Sequence, residues 1–260
     1  MEIRFLGIHN AESKNSRLVS FLIDGILALE TGSLTSELTF GEQRAIKAVL
    51  LSHAHYDHIR GTPALALNHS NHGANRILEI FGTSRTLRIL QSHLIDGLIY
   101  PEFAAGRSYL GKPAIKLKPV ETYRALKIDQ YRVKALPVLH PIEAIGWEIT
   151  SLDGKIIFYT GDTGPGLSHL WEHVAPQILI IDTTFPDRFR KIAEAAGHLC
   201  PELLKKELCV FRKLKGYLPK VLLIHRHPEF ESEIHAEIKA FEKELNAVVS
   251  MPGEGEIFTV

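Results

Sequence analysis

Four metal-ligand side chains fall within six residues, His53-Ala54-His55-Tyr56-Asp57-His58, directly after the apolar run 45–51 and Ser52. An apolar run of this length reads as a buried strand. The chain must therefore carry a buried strand whose carboxyl end opens onto a polar cluster, the position where α/β folds keep their chemistry. His53 and His55 are two apart and project to the same side of an extended strand end. Asp57 and His58 follow in the turn and can face a second point nearby. Imidazole nitrogens with one carboxylate suit zinc, manganese or iron better than magnesium or calcium. A single histidine would be an ordinary core or surface residue; four ligand-type residues together predict a site for two metals.

Further ligands are expected from other strand ends. His140 closes the run through Val138-Leu139, Asp162 stands in Tyr159-Thr160-Gly161-Asp162-Thr163-Gly164, and His225 closes Val221-Leu222-Leu223-Ile224. Taken singly, Asp162 is also a plain turn aspartate between glycines, and either histidine a plain strand-end residue. Their shared placement makes all three metal-ligand candidates.

Strands and helices alternate in both halves. Strand-like runs cover residues 3–7 and 18–29, the second broken at Asp24-Gly25, a hairpin signal. Strands are expected at 45–51, 76–81, 131–138, 146–150, 155–159, 178–181, 221–224 and near Ile257. Helices are expected over 64–69, 84–98, 167–173, 201–214 and 231–245. Residues 93–119, with Tyr100, Pro101, Phe103, Tyr109 and Pro113, read as a partly helical cap or as a surface connection. No low-complexity linker divides the chain, so one αββα sandwich over residues 1–260, with a cap at 91–118, is preferred to two domains.

Composition narrows the partners. Thirty basic residues balance thirty acidic ones, so the overall field gives no reason to expect DNA or an anionic membrane, and a small-molecule substrate fits better. A homodimer is compatible with the composition. Cys200 and Cys209 stand nine apart along a predicted helix, too far to bridge. With no signal segment at the amino end and no apolar run long enough to span a bilayer, a cytoplasmic location is expected.

These residues in this order resemble the metallo-β-lactamase superfamily over nearly the whole chain. The resemblance implies that His53, His55 and His140 hold one metal, that Asp57, His58 and His225 hold the other, and that Asp162 bridges both. The family's Asp-x-Gly element after the early hairpin is replaced here by Glu30-Thr31-Gly32. Within the superfamily the sequence is most similar to class II cyclic-nucleotide phosphodiesterases and, more remotely, to the tRNA 3′-end-processing endonucleases. Tyr100-Pro101-Glu102-Phe103 resembles the phosphodiesterases' Trp-Pro-Asp-Phe cap segment, and Gly197-His198-Leu199-Cys200-Pro201 their His-Leu-Thr-Pro element. His225-Arg226-His227-Pro228 resembles their His-Leu-Lys-Pro ending. True β-lactamases match less well, because their first cluster typically lacks a histidine at the position of His58.

The implied chemistry is that of a dinuclear-metal hydrolase. Two divalent transition metal ions, Zn2+ first with Mn2+ or Fe2+ as alternatives, would share a bridging hydroxide that attacks a small, cyclic-nucleotide-like phosphodiester. The leaving alkoxide then needs a proton donor. His198 is the candidate, its alternative being a residue at the start of the helix beginning near Pro201. His227 is a second candidate for that role, and Asp57 could orient the hydroxide. Tyr100, Phe103 and Tyr109 are candidates for stacking on a planar ring. The competing activities are a lactonase or thioester-type carboxyl ester hydrolase and a tRNA 3′-processing nuclease. A non-catalytic metal-binding protein is disfavoured by the complete ligand set.

Overall fold

The computed structural model describes residues 1–71, 77–104 and 113–260. The first half supplies β1 (Glu2–Gly7), β2 (Ser20–Ile23), β3 (Leu27–Leu29), β4 (Ala48–Leu50), β5 (Leu78–Gly82) and β6 (Ile115–Pro119). The second half supplies β7 (Ala125–Ile128), β8 (Tyr131–Pro137), β9 (Ile145–Thr150), β10 (Ile156–Tyr159), β11 (Ile178–Asp182), β12 (Lys220–Ile224) and β13 (Val249–Ser250). The last strand, β14 (Ile257–Thr259), returns to pair with β1. The two sheets run β14-β1-β2-β3-β4-β5-β6 and β13-β12-β11-β10-β9-β8-β7. Each is antiparallel near the strands that open it in sequence and parallel afterwards, where helices cross over between strands.

Three apolar layers explain the stacking. Phe5, Phe21, Leu29 and Leu50 of the first sheet meet Tyr131, Trp147, Tyr159 and Leu222 of the second, all buried, in the layer between the sheets. Alternate residues of the same strands face outwards onto helices. Val49, Ile80 and Ile115 pack with Leu65, Leu87 and Leu90, while Leu179, Leu223 and Phe158 pack with Leu204, Phe211 and Ile238. This strand period of two, with helices on both outer surfaces, makes the architecture the αββα sandwich that the alternation implied.

Several boundaries differ from the sequence reading. The apolar run 45–51 begins as the end of a helix, Phe40–Ala45, and only Ala48–Leu50 is strand. Thr39 and Glu42 form a capping box at that helix's start, which local apolar content does not reveal. The helix expected to reach residue 98 stops at His93, and Asp96 Oδ1 accepts from the Leu98 and Ile99 amides in a turn.

Residues 115–119, assigned to the cap segment, are strand β6, paired parallel to β5. Phe103, a stacking candidate, is fully buried in the layer outside the first sheet with Leu87, Leu90 and Ile95, so its ring serves packing. Tyr100 packs against that same layer, and Tyr109 lies outside the described residues. Both cysteines are free. Among the described residues, no helix is long and apolar enough to cross a membrane.

Candidate metal centre

All seven ligand candidates converge on one end of the sandwich. His53 and His55 leave the carboxyl end of β4, with His55 preceding the short helix Tyr56–Ile59 that carries Asp57 and His58. His140 follows β8, Asp162 follows β10 and His225 follows β12. Parallel pairing of β10, β11 and β12 aligns those strand ends side by side.

The candidates divide into two groups that share one residue. His53, His55, His140 and Asp162 present ligand atoms all within 4.8 Å of one another, and so do Asp57, His58, Asp162 and His225. Asp162 stands between them, with Oδ2 3.6 Å from His53 Nε2 and 3.2 Å from His225 Nε2, and Oδ1 3.2 Å from His58 Nε2. His225 Nε2 is also 3.1 Å from Asp57 Oδ2, and His140 Nε2 is 3.1 Å from His55 Nδ1.

The donor atoms fit divalent cations. His53 Nε2, both ring nitrogens of His58 and Asp162 Oδ1 are buried with no hydrogen-bond partner, a costly state for a polar atom unless something else takes its lone pair or proton. Burial, with like charge from neighbouring histidines, holds His53, His55 and His140 below the ordinary imidazole range, so all three are neutral. Burial opposes charge on Asp162, but His225, His58 and His53 prevail and keep its carboxyl well below the usual range. Asp57 is lowered in the same way by His58 and His225. His58 is raised well above its ordinary value, because Asp162, Asp57 and Glu30 outweigh its burial. Three carboxylates thus call for positive charge at that point, and a cation would supply it on release of the His58 proton.

Tethers behind the ligands turn their nitrogens the right way. His140 Nδ1 donates to the Gly197 carbonyl at 3.0 Å, which leaves its Nε2 lone pair facing the first group. Thr184 Oγ1 donates to Asp182 Oδ1 at 2.7 Å, so it accepts from His225 Nδ1 at 2.8 Å and leaves Nε2 for the second group. Ser52 Oγ lies 2.9 Å from His53 Nδ1. Glu30, the residue in place of the family's aspartate, is fully buried. Its Oε1 accepts from the Ser52 amide at 3.0 Å, and its Oε2 lies 3.5 Å from His58 Nδ1. Replacing Glu30 with alanine removes the carboxylate behind His58, and roughly 10- to 100-fold weaker metal binding is expected by competition with a chromophoric chelator.

Gly197 has φ +72°, and a Cβ there would lie 2.4 Å from Pro141 Cδ and 3.1 Å from His140 Nδ1. Gly197→Ala must therefore strain the left-handed backbone, by about 1–2 kcal/mol, and push His140 from its tether. A lower denaturant midpoint together with weakened metal binding is the expected result.

His198 and His227 fall outside both groups. His198 follows Gly197, and its Nδ1 is 2.7 Å from Asp182 Oδ2. Its burial resists charge, yet the fully buried Asp182 carboxylate raises it to about 9. The ring stacks on His225 at 5.1 Å between centroids, one ring away from the second group. His227 stands farther along, stacked on Phe230 at 4.7 Å, with its Nδ1 accepting from the Glu229 amide. Asp182, Thr184, Ser52 and Gly197 were missed from sequence. Asp182 carried a signal, since it ends an apolar run as His140 and His225 do.

The family model for the beta-lactamase superfamily domain matches residues 21–226. A probable 3′,5′-cyclic-nucleotide phosphodiesterase of Yersinia pestis is 23% identical over 255 residues, covering 87% of this chain and 71% of that protein. Ribonuclease Z of Bacillus subtilis is 26% identical over 110 residues, 42% of this chain and 33% of that one. Among solved structures, unliganded yeast PDE1 superposes with a TM-score of 0.84 at 18% identity, covering 98% of each chain.

Proposed function

Because the chain belongs to the beta-lactamase superfamily and is a hydrolase of the metallo-β-lactamase fold, we propose that it cleaves a small, cyclic-nucleotide-like phosphodiester using two divalent transition metal ions, zinc foremost. The observation that carries this reading is Asp162, one carboxylate common to two groups of imidazoles. In the proposal His53, His55 and His140 hold one ion, Asp57, His58 and His225 hold the other, and Asp162 is shared. When bound, such a pair supplies a hydroxide at neutral pH and neutralises charge on a phosphoryl oxygen.

The remaining work falls to the chain's own residues. His198, kept protonated by Asp182 and adjacent to His225, gives its proton to the departing alkoxide. His227 is the reserve candidate, but it stacks one residue further out on Phe230. Asp57, besides its place in the second group, orients the attacking water. A proton donor held by a buried carboxylate favours a poor leaving group such as a sugar alkoxide. The cyclic-nucleotide phosphodiesterase relative, which aligns over most of this chain, supports the same choice.

A panel of 3′,5′-cyclic AMP, a tRNA precursor, a lactone, a thioester and a β-lactam, offered to metal-loaded protein, tests the proposal. The cyclic diester should give the highest kcat/KM. Preferential turnover of the lactone or thioester would replace this reading with a carboxyl ester hydrolase, and preferential cleavage of the tRNA precursor with a nuclease.

A further inference from the structure

Beyond the metal ligands a row of rings continues outwards from His198. Phe185, three residues past the end of β11, packs edge-on against His198 with centroids 6.1 Å apart. His227, three residues past the end of β12, lies nearly parallel to Phe185, the planes 25° apart and the centroids separated by 6.4 Å. The two segments are held together by the His227 amide, which donates to the Thr184 carbonyl at 3.1 Å. Phe230 then stacks on His227, and Phe189 contacts both Phe230, at 5.3 Å, and Phe185, at 6.4 Å. The Arg188 guanidinium caps the far end, 4.1 Å from the Phe189 centroid and 5.2 Å from that of Phe230.

Phe185 and Phe230 pack on the layer outside the second sheet, yet both, like Phe189 and His227, remain only half-buried. Four partly accessible rings lead from the proton donor to an exposed arginine, whose Nε also donates to Glu233 at 2.8 Å, and form a surface suited to a flat, electron-rich heterocycle. Every nucleobase offers a π-face for such a surface, and a guanidinium adds a cation–π contact. An aliphatic lactone or thioester would gain nothing from it.

Resting on the phosphodiester reading above, we infer that Phe185, His227, Phe230 and Phe189, with Arg188, form the base-binding wall of the active site, and that the substrate is a nucleoside phosphodiester. The phosphodiester sits at the ligand groups, the ribose passes His198, and the base lies along the rings. This assignment replaces Tyr100 and Phe103, which pack against the first sheet's outer layer.

Binding separates this inference from the phosphodiester reading, because it needs no turnover. Metal-loaded protein is titrated calorimetrically with AMP and with ribose 5-phosphate, which carries the phosphate without the base. AMP should bind about 5- to 100-fold more tightly, the value of one or more base–aromatic stacks. Phe230→Ala should erase most of that difference and Phe230→Trp should restore it. Equal affinity for AMP and ribose 5-phosphate, or an unchanged preference in Phe230→Ala and Phe189→Ala alike, would overturn the wall. In parallel, the ratio of kcat/KM for cyclic AMP to that for a 1-O-methyl ribose 3′,5′-cyclic phosphate should fall by a similar factor in Phe230→Ala. If the protein prefers AMP in binding yet hydrolyses neither diester, the wall stands and the phosphodiester reading fails.

Discussion

Replacing Asp162 with alanine or asparagine is expected to lower turnover by roughly 1,000-fold or more and to reduce bound metal well below two ions per chain. A single misplaced catalytic group commonly costs about 100- to 10,000-fold, and Asp162 serves both ligand groups at once. Its two oxygens are the atoms that His53, His58 and His225 approach within 3.2–3.6 Å. The asparagine variant keeps the side chain's shape while removing its charge, so a folded but metal-poor Asp162→Asn protein would separate ligation from packing. Metal content by mass spectrometry and kcat/KM on cyclic AMP are the two readouts. A variant that retains two ions and near-normal turnover would remove Asp162 from the centre.

The second large effect concerns His198, the proposed proton donor. His198→Ala is expected to slow cyclic AMP hydrolysis by about 100-fold while both metals are retained. Asp182→Asn acts on His198 and also, through Thr184, on His225, and its effect on the donor is distinguished by the pH profile. Despite burial, the Asp182 carboxylate raises His198 to about 9, so the folded protein keeps the donor protonated across the neutral range. Activity that depends on the protonated form is lost as pH rises through the folded pKa. Without the carboxylate that pKa falls, and the alkaline limb of kcat must move to lower pH. A substrate with an acidic leaving group, such as a p-nitrophenyl diester, should be far less affected by either substitution. Equal losses on good and poor leaving groups, with an unmoved alkaline limb, would make His198 and Asp182 merely structural.

The run from His53 to His58 was legible because its chemistry and its position after an apolar strand are both local in sequence. His140, Asp162 and His225 could be found by the same rule, since each ends an apolar run and parallel pairing brings such ends together. Asp182 obeys that rule too, but its run reads as ending at Ile181, one residue short of the strand. The tethering roles of Gly197 and Thr184 could not be read, because they act through a carbonyl oxygen and a hydroxyl whose partners lie 57 and 41 residues away.

Aromatic residues misled in the opposite direction. Phe103 is a candidate for stacking or for the core by its sequence, and the apolar sides of Leu87 and Leu90 claim it for the core. Phe185 and Phe230, 45 residues apart, become neighbours of one site only because β11 and β12 lie side by side. Among the strands, β7 escaped notice because only Ile128 of its four residues is buried, leaving little apolar signal.

Both the ligand assignment and the proposed reaction meet in one titration. Metal-free protein is prepared by chelation, and the rate of cyclic AMP hydrolysis is followed as Zn2+ is returned in steps. Turnover is expected to be absent without metal and to rise to a plateau at about two equivalents per chain, with His58→Ala failing to reach it. Undiminished hydrolysis by the metal-free protein would contradict the metal-dependent reaction.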